Sequence, residues 1–150
     1  MSVTVTKNFD LGKIRFDFTK QLNESGQIIK TDHYQRLEGG QGVDGSQMKA
    51  LSPVTVALKG NSKILVKSGK MRNLIVEEAS KTNQQVEIHP GRKQTYKGTK
   101  PPVTMSDVGG FHQKGGRNLP KREWFGISKN AEKQCINLME ERMAEEIRRA

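Results

Sequence analysis

A chain of 150 residues fits one domain, read here as residues 1–150, and leaves little room for a second. Only 33% of it is apolar and its mean hydropathy is -0.74, so the core is modest, exposed loops are long, and no apolar run approaches the length of a membrane span. The formal net charge is +10, and residues 91–122 carry eight Lys/Arg against one Asp, a local basic segment suited to nucleic acid, an acidic protein surface or an acidic neighbouring subunit.

Met1 is followed by polar Ser-Val-Thr-Val-Thr with no apolar stretch behind it, so no secretory signal is expected and synthesis is placed in a cytoplasm. The single cysteine, Cys135, excludes an intrachain disulfide. Val3 and Val5 alternate with Ser2, Thr4 and Thr6 as in a short edge strand. From Asp10 two periods compete. Ile14, Phe16 and Phe18 alternate as in a strand, while Leu11, Ile14, Phe18, Leu22, Ile29 and His33 share one helical face. The helical period persists longer, which favours a long helix capped by Asp10 and stopped by Gly39-Gly40, with Gly26 marking a kink.

A glycine-rich loop follows over residues 39–50. Ser52 is pushed towards an extended conformation by Pro53, which suits a first helical turn, and Thr55–Lys59 forms a short helix ending at Gly60. Lys67–Arg72 reads as a turn, with Ser68 as a cap and Gly69 supplying an unusual backbone angle. Leu74–Ala79 and Gln85–His89 form a hairpin across Lys81-Thr82-Asn83. Residues 90–102 lack periodicity and form a long, flexible basic loop. Thr104–Phe111 is a short helix ended by Gly115-Gly116. Leu119–Ile127 is an aromatic, proline-containing joint. The final helix, capped by Ser128 or Asn130, carries the stripe Ala131, Cys135, Leu138, Met139, Ala144 and Ile147, with Ile136 and Met143 beside it.

No constellation here supports a reaction. His33, His89 and His112 have no second ligand at metal spacing, so neither a metal nor a cofactor is expected. Cys135 lies on an apolar stripe and reads as a small buried hydrophobe. Ser68-Gly69-Lys70 lacks the order of a phosphate loop, and Gly39, Gly40, Gly42 and Gly45 lack the strand that should precede a dinucleotide fingerprint. The rival to a structural role is a basic nucleic-acid-binding module. Arg92, Lys93, Lys97 and Lys100, with Lys114, Arg117, Lys121 and Arg122, can neutralise phosphates among Tyr96, Phe111 and Trp124. Yet the chain is only 5% aromatic and shows no DNA- or RNA-reading motif.

Four segments, in order, resemble the phage virion morphogenesis (tail-completion) family. Ala50-Leu51-Ser52-Pro53-Val54-Thr55-Val56 is similar to its leucine-serine-proline-serine/threonine-threonine stretch, preceded by Val43-Asp44-Gly45 in the glycine-rich loop. Lys63–Arg72 resembles its leucine, two residues, threonine/serine-glycine-x-leucine-arginine signature. Gly109–Gly116 resembles its histidine-glutamine-x-glycine motif, and Leu119–Ser128 its proline-containing joint before the terminal helix. Lys121 and Glu123 stand at small or proline positions of that joint, and Gly109-Gly110 where small apolar residues are common.

The resemblance implies an α+β fold, a small mostly antiparallel sheet flanked by a long N-terminal and a C-terminal helix. It implies a non-enzymatic virion subunit, assembled in the host cytoplasm and placed at the head–tail junction as tail terminator or neck protein. A head-closure or connector protein is the alternative within that class. Its partners would be further copies in a ring, hexameric by resemblance, tail-tube and neck or connector proteins, and DNA touched non-specifically in the channel. Interfaces favour Trp, Phe and Arg, which makes Arg122, Trp124 and Phe125 candidate anchors. The opposing reading packs both rings under the chain's own terminal helix. His112, Pro53 and Arg72 stand on the other landmarks and complete the interface candidates. Arg92, Lys93, Lys97 and Lys100 are the candidates for DNA or an acidic partner.

Overall fold

The computed structural model describes residues 16–66, 69–91, 103–116 and 118–149. The elements are α1 (Thr19–Glu38), α2 (Pro53–Lys59), β1 (Ile75–Glu77), β2 (Glu87–His89), α3 (Met105–Lys114) and α4 (Lys129–Arg149). This is the expected α+β class, with a two-stranded antiparallel sheet and long helices towards either end.

The first helix starts later than its period suggests. Asp10, Leu11 and Ile14 lie outside the described residues, and Phe16–Phe18 are not helical. The Asp17 carboxylate accepts the Thr19 amide at 3.0 Å, and the Gln84 side chain binds Phe18 N–H and Phe16 C=O. These bonds satisfy the backbone ahead of the helix, so the helical pattern does not extend through it. Gly39 and Gly40 stop α1 as expected, Gly40 with φ +68. Gly26 marks no break. It lies buried inside one continuous helix, where a Cβ would stand 2.9 Å from Val76 and 3.0 Å from Val86. Its missing side chain is what lets the hairpin lie against α1.

The hairpin pairs Ile75 with His89, Val76 with Ile88 and Glu77 with Glu87. It is shorter than Leu74–Ala79 and Gln85–His89 because another group takes Ala79's backbone. Asn23 of α1 accepts from Ala79 N–H at 2.7 Å and donates to Ala79 C=O at 3.2 Å. One side-chain amide thus replaces a ladder rung and ties α1 to the sheet.

The remaining helices begin at local signals. Ser52 Oγ caps α2 behind Pro53, and Gly60 ends it at φ +78. Thr104 and Asp107 form a reciprocal capping box on α3, which runs three residues beyond Phe111 to Lys114 and ends at Gly115. Ser128 Oγ accepts from Ala131 N–H at 3.2 Å at the start of α4. The fourth helix packs on α1. Ala131 is fully buried and Cys135, Leu138 and Met139 are half-buried, with the Cys135 thiol donating to Ser25 C=O at 3.9 Å.

Further along, the inward face differs from the expected stripe. Arg142 and Glu146 are half-buried and ion-paired, and Arg142 Nε donates to Asp17 C=O at 3.4 Å. Ile136, Met143, Ala144 and Ile147 face outwards. The polar start of α1 therefore selects the polar face of α4's last turns. The core proper is Leu37, Met71, Met105 and Trp124, with Met48, Leu65 and Val108 against it.

Candidate assembly surface

The segment between α3 and α4 is held by side chains of two helices, Gln113 of α3 and Arg36 of α1, and by the backbone of the glycine-rich loop. Gln113 of α3 supplies the closest clamp. Its Oε1 accepts from Trp124 N–H at 3.1 Å and Phe125 N–H at 3.2 Å, while its Nε2 donates to Phe125 C=O at 3.2 Å. An amide side chain is both donor and acceptor, so it stands in for a neighbouring strand. Next to it, His112 C=O accepts from Arg122 N–H at 2.8 Å. Gly115 has φ +70, and a Cβ there would sit 2.8 Å from Lys121 N, so this close turn needs glycine.

The helix α1 holds the far end of the joint. Arg36 donates to Asp32 at 2.8 Å, to Trp124 C=O at 3.4 Å and to Gly126 C=O at 3.2 Å. The other Asp32 oxygen accepts from Ser128 Oγ at 2.8 Å, so one carboxylate links the arginine clamp to the cap of α4. From the glycine-rich loop, Val43 N–H donates to Glu123 C=O at 2.8 Å. From the Gly69 turn, Met71 C=O accepts from His33 Nε2 at 3.0 Å. A carbonyl can only accept, so Nε2 carries the proton. Nδ1 has no partner among the described residues, and burial pushes the histidine pKa down, which favours the neutral ring.

Trp124 fills the space these bonds enclose. Only 1% of it is exposed, and its indole N–H donates to Gly109 C=O at 2.9 Å. Its ring lies 5.4 Å from His33 and 5.5 Å from Phe125. A Cβ on Gly109 would fall 2.4 Å from Trp124 Cζ2. The ring expected as a subunit anchor is thus core of its own chain, because Gly109 leaves it a slot on α3.

The other interface candidates separate. Phe125 is 37% exposed, at the edge of a cleft of about 320 Å³ that Ile88, Pro90 and Gly110 also line. Arg122 is 5% exposed and donates to Lys49 C=O at 3.3 Å. His112 is half-buried beside it, its pKa lowered by burial and then by Arg122 and Lys59. Pro53 is exposed at the start of α2. Arg72 is engaged elsewhere, ion-paired with Glu38 and 4.6 Å above the Tyr34 ring. Arg92, Lys93, Lys97 and Lys100 lie outside the described residues.

Sequence reasoning missed Gln113, Asp32 and Arg36 as the bonds that hold the joint. It also missed the outer surface. Val54 and Leu58, one turn apart on α2, are 69% and 83% exposed. Phe111, Ile127, Ile136, Met143 and Ile147 are exposed as well. Scattered apolar residues are ordinary, and Val54 and Leu58 stand out as two apolar side chains on the same side of a short helix.

The site therefore has the character of a structural joint. Its recurrent polar side chains bind the chain's own backbone. The phage virion morphogenesis family matches residues 10–144, and the chain belongs to that family. Its role is accordingly in the assembly of a phage particle. No curated protein and no solved structure matches it.

Proposed function

We propose that this chain completes the phage tail and mediates head–tail joining as one subunit of an oligomeric ring, the role of a tail terminator or neck protein. The family supports a virion role. The observation that carries the finer reading is the division of the apolar residues. Met71 and Trp124 of the motifs are buried in the core, whereas Val54, Leu58, Phe111 and Ile147 stay outside, where a neighbouring subunit would cover them. Partners on this reading are further copies of the chain, the tail tube, and neck or connector proteins. Non-specific contact with DNA in the channel fits the excess of positive charge in residues 91–122.

Rings of identical subunits need two different surfaces that meet head to tail and close. Native mass spectrometry of the purified chain should show one closed stoichiometry, and the chain should be found in purified virions. A strictly monomeric protein absent from virions would remove this reading. Tight, sequence-selective DNA binding would favour the nucleic-acid module instead.

A further inference from the structure

A basic cleft lies between α2 and the α3–joint unit. It consists of two adjoining cavities of about 190 and 280 Å³ that share Leu51, Thr55, His112 and Arg122 in their walls. Lys59 lines one and Lys49 the other, and neither wall contains a carboxylate. Arg122 is 95% removed from solvent, since only 5% is exposed, and among the described residues no acidic group pairs with it. Its Nε and the Nδ1 of His112 are buried without a hydrogen-bond partner among the described residues. A buried guanidinium lacking a counter-ion is costly, so the cleft is built to receive an acceptor. The helix α2 contributes Thr55 and Lys59 to these walls, and Val54 and Leu58 of the same helix are exposed.

The same chain carries a face of opposite character. Glu132, Ile136, Glu140, Met143 and Ile147 fall at spacings of four, four, three and four along α4, one line away from α1. All five are exposed. Apolar groups with two carboxylates thus stand on α4, and apolar groups with three cationic residues, Lys49, Lys59 and Arg122, stand around α2. We propose that the cleft and the Val54–Leu58 face receive the outer face of α4 from a second copy of this chain. In that contact Glu140 supplies the carboxylate that Arg122 lacks, and Ile136, Met143 and Ile147 cover Val54 and Leu58. The two faces are different, so the contact is head to tail and repeats from copy to copy. This rests on the ring reading above and names its interface.

Mixing Leu58→Cys and Met143→Cys versions of the full chain, each in a Cys135→Ser background, tests the contact by oxidative cross-linking. A heterodimeric disulfide is expected, absent when either cysteine variant is oxidised alone with a cysteine-free chain. Glu140→Lys should weaken self-association at least about tenfold, as loss of a desolvated charge pair does. Lys49→Glu should weaken it as well, and the two together should recover most of the loss. An oligomer without the cross-link, or without charge-swap recovery, overturns this surface and leaves the ring intact. A monomer at every concentration overturns both. If Lys49→Glu abolishes binding to duplex DNA and leaves the oligomer unchanged, the cleft is a phosphate site and the proposal fails.

Discussion

Gly109 and Gly110 are neighbours in α3, and the same substitution at each should change stability in opposite directions. Replacing either by alanine favours the helix by about 1 kcal/mol. At Gly110 the new methyl meets nothing within 4 Å, so Gly110→Ala should stabilise by up to that amount. At Gly109 it would stand 2.4 Å from Cζ2, 3.2 Å from Cη2 and 3.4 Å from Cε2 of Trp124. The ring must retreat by more than 1 Å to restore contact distance, roughly the difference between 2.4 Å and an optimal carbon–carbon separation of about 3.5 Å. That retreat overpacks the core, at about 1–3 kcal/mol, and stretches the 2.9 Å indole bond to Gly109, at about 1–3 kcal/mol for a buried donor left unmade. Net of the helix gain, Gly109→Ala should destabilise by about 1–5 kcal/mol. Trp124 is the only tryptophan, so its emission during urea unfolding reports both the site and the stability. A Gly109→Ala protein as stable as the parent, with unshifted emission, would refute the slot.

Gln113→Ala removes three bonds to the joint and should lower unfolding free energy by about 2–4 kcal/mol, and Gln113→Glu should not restore it, since a carboxylate cannot donate to Phe125 C=O; urea titrations check both. His33 and His112 are both held below the ordinary histidine value of 6.5, so the unfolded chain takes up protons first. Stability should be full above pH 6.5 and fall below it, by at most about 1.4 kcal/mol per pH unit for each histidine. Chemical denaturation from pH 7 to 5 would show the slope, and His33→Gln should reduce it. Gly26→Val should destabilise by at least about 1 kcal/mol by pushing the hairpin off α1, readable as a lowered melting temperature. Leu58→Asp should leave melting unchanged while impairing self-association, as a fully outward residue would.

What could be read from the sequence depended on how local its cause was. Helices α2, α3 and α4 begin at Ser52-Pro53, at Thr104 with Asp107, and at Ser128, and each cap accepts a backbone N–H of its own first turn. Gly60 and Gly115 end two of them by the same local logic. The start of α1 depended on Gln84, more than sixty residues away, and the apolar period continued into residues that do not form helix. The inward face of α4 depended on what α1 offers it. Ile147 and Glu146 are neighbours in sequence, and the Arg142 pairing drew the glutamate inwards and left the isoleucine outside.

The candidate site was partly legible. The joint and the His112-Gln113 pair stood out, but the clamp is Gln113, because only an amide can serve two N–H groups and one C=O together. Asp32 and Arg36 left a signal that went unused, an acid–base pair four residues apart on the helix face that carries His33. Trp124 had two defensible readings, and nothing in its own neighbourhood could choose between them. Gly109, fifteen residues earlier, decides for the core by having no side chain. That no carboxylate among the described residues pairs with Arg122 is a tertiary fact, which its own neighbourhood in sequence could not show.

The most direct measurement of the central claim is cryo-electron microscopy of the head–tail junction in the particle that this chain helps to build. A closed ring of copies at the top of the tail, with α2 of each subunit facing α4 of the next, is the predicted result. A particle whose junction contains no copy of the chain, or holds it only as isolated single subunits, would contradict the account.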